Sequence, residues 1–378
     1  MKKVKKIVTL GLAATLAVAS LAGCGSKSGS AGDTYVIGGI GPLTGDAASY
    51  GLSVKQGAEI AVKEINDAGG VKVGDKTVKL ELKFEDDQAT PDKAVTAYNT
   101  LMDDGMNALL GCVTSGSSLA VTDLTKEDGI FMLTPSGSAK DITKNDNVFR
   151  LCFTDPLQGE KMATHMVTDL GIKKIAVIYK NSDEYSTGVY EAFAAKVAEL
   201  GGTITTAEAF ADGEDFNTQL TSIKGTDAEA IFAPIYYTDA SHIVTQAKDL
   251  SITLPFFGSD GWDGILASVT DKATVEGATF LSPFFSGEAT AKDFVAKYEE
   301  AYKATPDQFA ADGYDGVYVM KLAIEKAAST DSKAIISAMP QITVNGLTGQ
   351  GYTFTAGGEP QKDAKFIKIV NGEYTAAK

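Results

Sequence analysis

The run KIAVIY, Lys174 to Tyr179, is apolar, rich in β-branched residues and of strand length. An amphipathic helical stretch follows from Val189 to Leu200, and then a second strand from Thr203 to Phe210. The alternation continues with a helix over Phe216 to Ile223, a strand over Ala230 to Pro234 and a helix over Ala240 to Leu250. Strands separated by helices of this length pair in parallel, because each helix carries the chain back along the sheet. The first half of the chain already contains such a series. Thr34 to Ile40 reads as a strand, and Gly51 to Asn66 as a helix with Val54, Ala58, Ile60, Ala61, Val62 and Ile65 on its apolar face. Leu80 to Phe84 is a strand, and Pro91 opens a helix at a position proline favours. Asn107 to Gly111 and Ile130 to Leu133 are further strands around the helix that follows Ser115. Two such series predict an α/β protein of two doubly wound parallel-sheet lobes. Ligands of open α/β sheets sit beyond the carboxyl ends of the strands, so the expected site is the cleft where the two lobes face each other.

The N-terminus carries its own signal. Lys2, Lys3, Lys5 and Lys6 precede an uncharged run from Ile7 to Ala22, about 16 residues, short of the roughly 20 that a spanning helix needs. Residues 1–23 therefore read as an export signal. The Gly/Ser-rich stretch after Cys24 reads as a flexible tether, residues 24–33. Removal of residues 1–23 takes away four lysines and no acid, which changes 34 bases against 49 acids to 30 − 49 = −19. A body this acidic, without a basic stripe, argues against nucleic acid or an anionic lipid surface as partner. The remaining 378 − 23 = 355 residues exceed what one core usually supports.

No enzyme class finds its residues. The chain has no G-x-x-x-x-G-K-[ST] and no G-x-S-x-G, and Pro42 spoils the dinucleotide spacing that Gly39 and Gly41 begin. His165 and His242 lie far apart, so no metal or other cofactor is expected. The acidic runs Glu85 to Asp87 and Asp212 to Asp215 read as solvated turns. Cys112 and Cys152 sit in apolar surroundings and are expected as buried free thiols, with pairing left open.

Two resemblances add to this. Leu21-Ala22-Gly23-Cys24 resembles a bacterial lipobox, which implies lipidation of Cys24 and a body anchored outside the cell membrane. Gly41-Pro42-Leu43-Thr44-Gly45 with Tyr50-Gly51, Ser115 to Ala120, Gly129 to Ser138, Phe149-Arg150 as a turn, Ile175 to Tyr185, Gly258 to Gly261 and Tyr314-Asp315 resemble, in that order, the leucine/isoleucine/valine-binding proteins. The resemblance implies a type I periplasmic-binding-protein fold with three crossings, near Asp155, Pro283 and Lys365. Lobe 1 is then residues 34–154 and 283–365, and lobe 2 is residues 155–282 and 366–378. It further implies a monomer that delivers a free amino acid, branched-chain for the family, to the permease and ATPase of an ABC importer. The membrane is met only through the lipid. The alternative is a receptor module that presents its ligand to a signalling partner.

For the site, Ser115 stands at a helix start, where a hydroxyl and the helix dipole suit an anion. Thr134 to Ser138 ends a strand in small residues. Arg150 is the sole arginine, and its place at a strand end speaks against a carboxylate clamp. The resemblance assigns the ligand carboxylate to Ser115, Ser136, Gly137 and Ser138. It assigns the ammonium to Asp260, which follows the strand Phe256 to Gly258, together with Tyr185. Tyr50, Val113, Tyr236, Gly261 and Trp262 are the implied wall. Trp262, the only tryptophan, either lines the pocket or packs beside the hinge. Tyr314 and Asp315 are structural first.

Overall fold

A computed structural model describes residues 34–377. The candidate lipidation site Cys24, the export signal and the tether lie outside the described residues. The first sheet contains β1 (Thr34–Gly41), β2 (Val71–Val73), β3 (Lys76–Asp86), β4 (Ala108–Gly111), β5 (Phe131–Thr134) and β6 (Val148–Arg150), in the order β2-β3-β1-β4-β5-β6. Only the β2–β3 hairpin is antiparallel. Its helices are α1 (Ala48–Asp67), α2 (Pro91–Asp103) and α3 (Ser115–Asp128). Phe149-Arg150, read as a turn, is instead part of edge strand β6, paired to Leu133 and Thr134 of β5.

After Arg150 the chain leaves this sheet and builds a second one. α4 (Asp155–Thr164) leads into β7 (Lys174–Lys180), α5 (Glu184–Glu199), β8 (Thr203–Phe210), α6 (Asn217–Lys224), β9 (Ala230–Ala233), α7 (Tyr237–Asp249), β10 (Phe256–Gly258), α8 (Ile265–Ser268) and β11 (Thr279–Ser282). Beyond Ser282 the helices α9 (Lys292–Tyr302), α10 (Gln308–Ala327) and α11 (Ser332–Ala338), and the small pair β12 (Val344–Asn345) and β13 (Gln350–Tyr352), pack with the first sheet. The closing hairpin β14 (Lys365–Val370) and β15 (Glu373–Ala376) joins the second sheet, whose order is β15-β14-β11-β10-β9-β7-β8.

Without their hairpins, both sheets have the same doubly wound order: β3-β1-β4-β5-β6 in one and β8-β7-β9-β10-β11 in the other. The switch point, where the winding reverses, therefore falls beside β1 in one lobe and β7 in the other. Loops from these strands and their neighbours meet between the lobes.

Local chemistry sets the element starts. The Asp183 side chain accepts from the Ser186 amide, so α5 begins at Glu184, five residues before its apolar periodicity appears, and Tyr185 lies in its first turn. α1 and α10 cross at glycines: a Cβ on Gly57 would stand 1.9 Å from the Ala310 carbonyl oxygen, and one on Gly313 2.1 Å from that of Val54. This near-backbone contact seats the start of α10 against Ser53. Asp87, read as part of a solvated turn, is fully buried with one carboxylate oxygen unpartnered, and burial pushes it up to about 6. Cys112 and Cys152 are buried free thiols.

Candidate functional site

The loops after β4 and β5 lock together. The Ser115 hydroxyl oxygen accepts from the amides of Ser138 and Ala139, both at 3.1 Å. Ser115 is therefore the first residue of α3 rather than its cap, which is Thr114, and its hydroxyl ties the two loops to each other. With two bonds accepted, its proton remains to be donated. Ser136 Oγ donates to the Val113 carbonyl at 2.7 Å, so its proton is committed to holding the loop. The Gly137 amide donates to Thr134 Oγ1 at 2.8 Å. A Cβ on Gly137 would stand 2.6 Å from both Ser118 Oγ and Thr134 Oγ1, so the turn requires glycine. The first intrahelical bond of α3 runs from the Ser118 amide to Thr114. The three amides before it, on Ser115, Gly116 and Ser117, sit at the positive end of the helix dipole.

Arg150 holds this loop from behind. It is fully buried and donates through Nη1 to Gly137 O at 3.1 Å and through Nη2 to Ala139 O and Lys140 O at 3.0 and 3.1 Å. Its Nε pairs with Glu359 at 2.8 Å. Its donors are thus engaged within the protein, and it orients the loop.

The second lobe presents acceptors. Tyr185 OH donates to Asp260 Oδ1 at 2.7 Å and accepts from the Gly261 amide at 2.9 Å. The Asp260 backbone is gripped on both sides: its N–H donates to Gln158 Oε1 at 2.9 Å, and its carbonyl accepts from Gln308 Nε2 at 2.8 Å. Asp260 is 5 % exposed, and burial pushes its carboxyl up to about 6, against the opposing pull of the hydrogen bond from Tyr185.

Asp155, read in sequence only as a crossing between lobes, stands beside the candidate site residues Ser138 and Asp260. It is buried with Oδ1 unpartnered, and its amide donates to the Ser138 carbonyl at 3.0 Å. Burial first, and then the charge of Asp260, raise its pKa, while the Ser138 hydroxyl first and the Arg150 charge second lower it. In sequence, Thr154-Asp155-Pro156 reads as a helix start, which hides any second role. Gln158 and Gln308 were missed for the same kind of reason. Each grips Asp260 through one amide atom and leaves the other buried and unpartnered, Nε2 on Gln158 and Oε1 on Gln308.

Aromatic side chains close the space between the lobes. Tyr50 OH donates to Gly261 O at 2.5 Å and accepts from the Tyr237 amide at 3.1 Å, so a first-lobe phenol is bonded to two second-lobe loops. Its ring meets Tyr236 edge-on at 5.4 Å, and Tyr236 stacks on Tyr185 at 5.0 Å. Val113 joins the same cluster. Thr238 Oγ1 adds a bond to the Asp46 carbonyl at 2.6 Å. With these bonds made, the cleft is shut.

Trp262 belongs to the same buried cluster as Tyr50 and Val113, and its ring is anchored within its own lobe. Its indole N–H donates to Ala233 O at 2.8 Å, its ring lies over Gly258, where a Cβ would stand 2.3 Å from Cγ, and it is fully buried near Phe256. Asp315 accepts from the amides of Leu347 and Thr348 and serves structure. Among the described residues no group of His, Cys, Asp and Glu is arranged to hold a metal, and no helix is long and apolar enough to cross a membrane.

Two α/β lobes that close on each other, with a helix start and its amides in one and a buried carboxylate at a strand end in the other, define a two-lobed ligand-binding protein. A family model described as periplasmic binding protein matches residues 34–373. A Leu/Ile/Val-binding protein homolog of Brucella melitensis is 33 % identical over 80 % of this chain and 81 % of its own length. The Leu/Ile/Val-binding protein BraC3 of Rhizobium johnstonii is 31 % identical over 88 % of each. Among solved structures, the branched-chain amino acid transporter substrate binding protein LivJ from Streptococcus pneumoniae, in complex with isoleucine, superposes with a TM-score of 0.84. It is 30 % identical and covers 91 % of this chain and 99 % of its own. The chain belongs to the leucine/isoleucine/valine-binding family of periplasmic binding proteins, and its role is to bind a substrate.

Proposed function

We propose that this chain is the extracytoplasmic, lipid-anchored substrate-binding component of an ABC importer, not an enzyme, and that it closes on a small branched-chain amino acid and delivers it to a permease. The observation that carries this reading is the opposition of two poles across one shut cleft. On one side are the Ser115 hydroxyl and the α3 amides, and on the other Asp260 with Tyr185, and Asp155. A zwitterion matches both poles, since its carboxylate seeks donors at a helix start and its ammonium makes charge-assisted bonds to carboxylates. Ser136, Gly137 and Ser138 shape the carboxylate side, and Tyr50, Val113, Tyr236 and Gly261 form the apolar wall. The lobes, residues 34–154 with 283–365 and 155–282 with 366–378, rotate about their three crossings, and the protein acts as a monomer. Cys24 carries the lipid, a reading supported by the sequence Leu21 to Cys24. The test is titration calorimetry of the mature protein, unfolded and refolded to strip carried-over ligand, against the twenty amino acids. Saturable heat with leucine, isoleucine or valine is expected, and silence across the panel from folded protein refutes the reading.

A further inference from the structure

The loop that carries Asp260 does not end at the ligand pole. Three residues on, Asp263 reaches across the cleft. Its Oδ2 accepts from the Gln308 amide at 2.9 Å, the first amide of the 20-residue helix α10 in the other lobe. Its Oδ1 accepts from the amide of Gly264 beside it at 3.0 Å. That helix already has its own cap: Asp307 Oδ1 accepts from the Ala310 amide at 2.9 Å, and its Oδ2 from Ser53 Oγ at 2.8 Å. One helix start therefore receives two carboxylates, one built into its chain and one supplied by the opposite lobe. A helix N-terminus offers only about half a positive charge, too little for two anions.

We propose that Asp263 and Asp307 form a latch between the lobes that binds one proton as the cleft closes, and that Gln308 links this latch to Asp260. The proposal rests on the reading of the cleft as an amino-acid site. Gln308 supplies the linkage, because its backbone N–H holds Asp263 while its side chain holds the Asp260 carbonyl. The groups that face the pair add no positive charge. Asp260 and Asp307 both act on Asp263. Tyr50 lies within reach of the Asp263 charge, Tyr298 of the Asp307 charge and Tyr374 of both, and burial raises all three phenols, which stay neutral. Asp312 is a further acid near Asp307. Asp263 is buried, and burial first, then the Asp307 charge, raise its pKa. Burial raises Asp307 too. Two carboxylates that share a site cannot both ionise cheaply, and the pair titrates as a unit. When the lobes part, Asp263 leaves α10 for water and returns towards the ordinary value of about 3.9.

The sign follows. The closed form holds more protons than the open form between the ordinary and the raised pKa. Ligand affinity is therefore full at the acid end of that window and falls as pH rises through it, by at most about tenfold per pH unit for one proton.

The test is calorimetric titration with L-leucine from about pH 5 to about pH 9 in buffers of differing ionisation enthalpy, on wild type, Asp263→Asn and Asp307→Asn. Asparagine at 263 keeps an acceptor for the Gln308 amide, gives up the one for the Gly264 amide and carries no charge, so the latch closes without a proton. Wild type is expected to take up about one more proton per leucine bound than either variant, and the variants to lose the alkaline fall in affinity. Equal proton counts and equal slopes in all three proteins overturn the latch while leaving the amino-acid reading intact. If leucine gives no heat at any pH, the site reading fails instead, and the latch is then read without ligand by small-angle scattering. Asp263→Asn must then be more compact than wild type at about pH 9, and superimposable profiles refute the proposal.

Discussion

Asp260→Asn separates the two things that the Asp260 carboxylate does. The replacement is isosteric, so an acceptor remains for Tyr185 OH, and the backbone bonds to Gln158 and Gln308 do not involve the side chain. What disappears is the charge. Loss of one partner of a buried, hydrogen-bonded charge pair costs about 2–5 kcal/mol, so amino-acid affinity is expected to fall by roughly 30- to 5,000-fold. Stability should move the other way. The carboxyl is pushed from 3.8 to about 6 by burial, two units in round numbers. Each unit corresponds to about 1.4 kcal/mol, so the folded protein carries a penalty of at most about 3 kcal/mol at neutral pH. Because the folded-state pKa is raised, that penalty grows as pH rises from about 4 to about 6, and an amide removes it. The unmatched amide N–H2 beside Gln158 Nε2 returns part of the gain, so a rise in melting temperature of a few degrees is expected without ligand. Calorimetric titration reads the first effect and scanning calorimetry at about pH 7 the second. Wild-type affinity together with an unchanged melting temperature would refute both the ammonium role and the cost of burying this charge.

Three further substitutions or probes follow from the contacts. Tyr185→Phe strips the Gly261 amide of its buried acceptor and Asp260 of a donor. An affinity loss of about 1–3 kcal/mol is expected by titration, and wild-type binding would remove Tyr185 from the ammonium pole. Arg150→Lys cannot reproduce three carbonyl contacts and the Glu359 pair at once. About 3–5 kcal/mol of stability should be lost in a denaturant melt, and an unchanged midpoint would mean that the 134–140 loop holds itself. Trp262, bonded to Ala233 within its own lobe, should show blue-shifted emission whose acrylamide quenching does not change when ligand binds. A ligand-dependent change in quenching would place it in the pocket wall.

The fold was legible because its strongest signals are local. Ile175 to Ile178 and the central strands β4, β5 and β9 are buried on both faces, so their apolar runs stand out, and the helices between them carry periodic apolar faces. The elements that escaped are those whose reason to exist lies elsewhere in the chain. β6 is three residues long and is a strand only because β5 lies beside it. The starts of α5 and α7 precede their apolar stripes, because a cap or the preceding loop, rather than burial, sets the first turn. These shifts matter for function: Tyr185 stands in the first turn of a helix and Tyr236 at the cap of one.

The site divides along the same line. Ser115, Ser136, Asp260 and the tyrosines follow strand ends, a position that sequence order reveals. Gln158 meets Asp260 across 102 residues of chain and Gln308 across 48, and nothing in their neighbourhoods announces either contact. Arg150 shows what is at stake. As the only arginine it was the one possible guanidinium clamp for a carboxylate, yet it stands behind the loop and pulls on the carbonyls of Gly137, Ala139 and Lys140. A guanidinium inside the cleft would sit among Asp155 and Asp260 and neutralise the pole that an ammonium needs. Placed behind the loop, its charge still lowers the Asp155 pKa against the burial that raises it, which favours the anion at the ammonium pole. In the proposed reading, recognition of the ligand carboxylate then rests on neutral donors, the Ser115 hydroxyl and the α3 amides. The cleft thus keeps two poles of opposite character without an internal ion pair that a ligand would have to break.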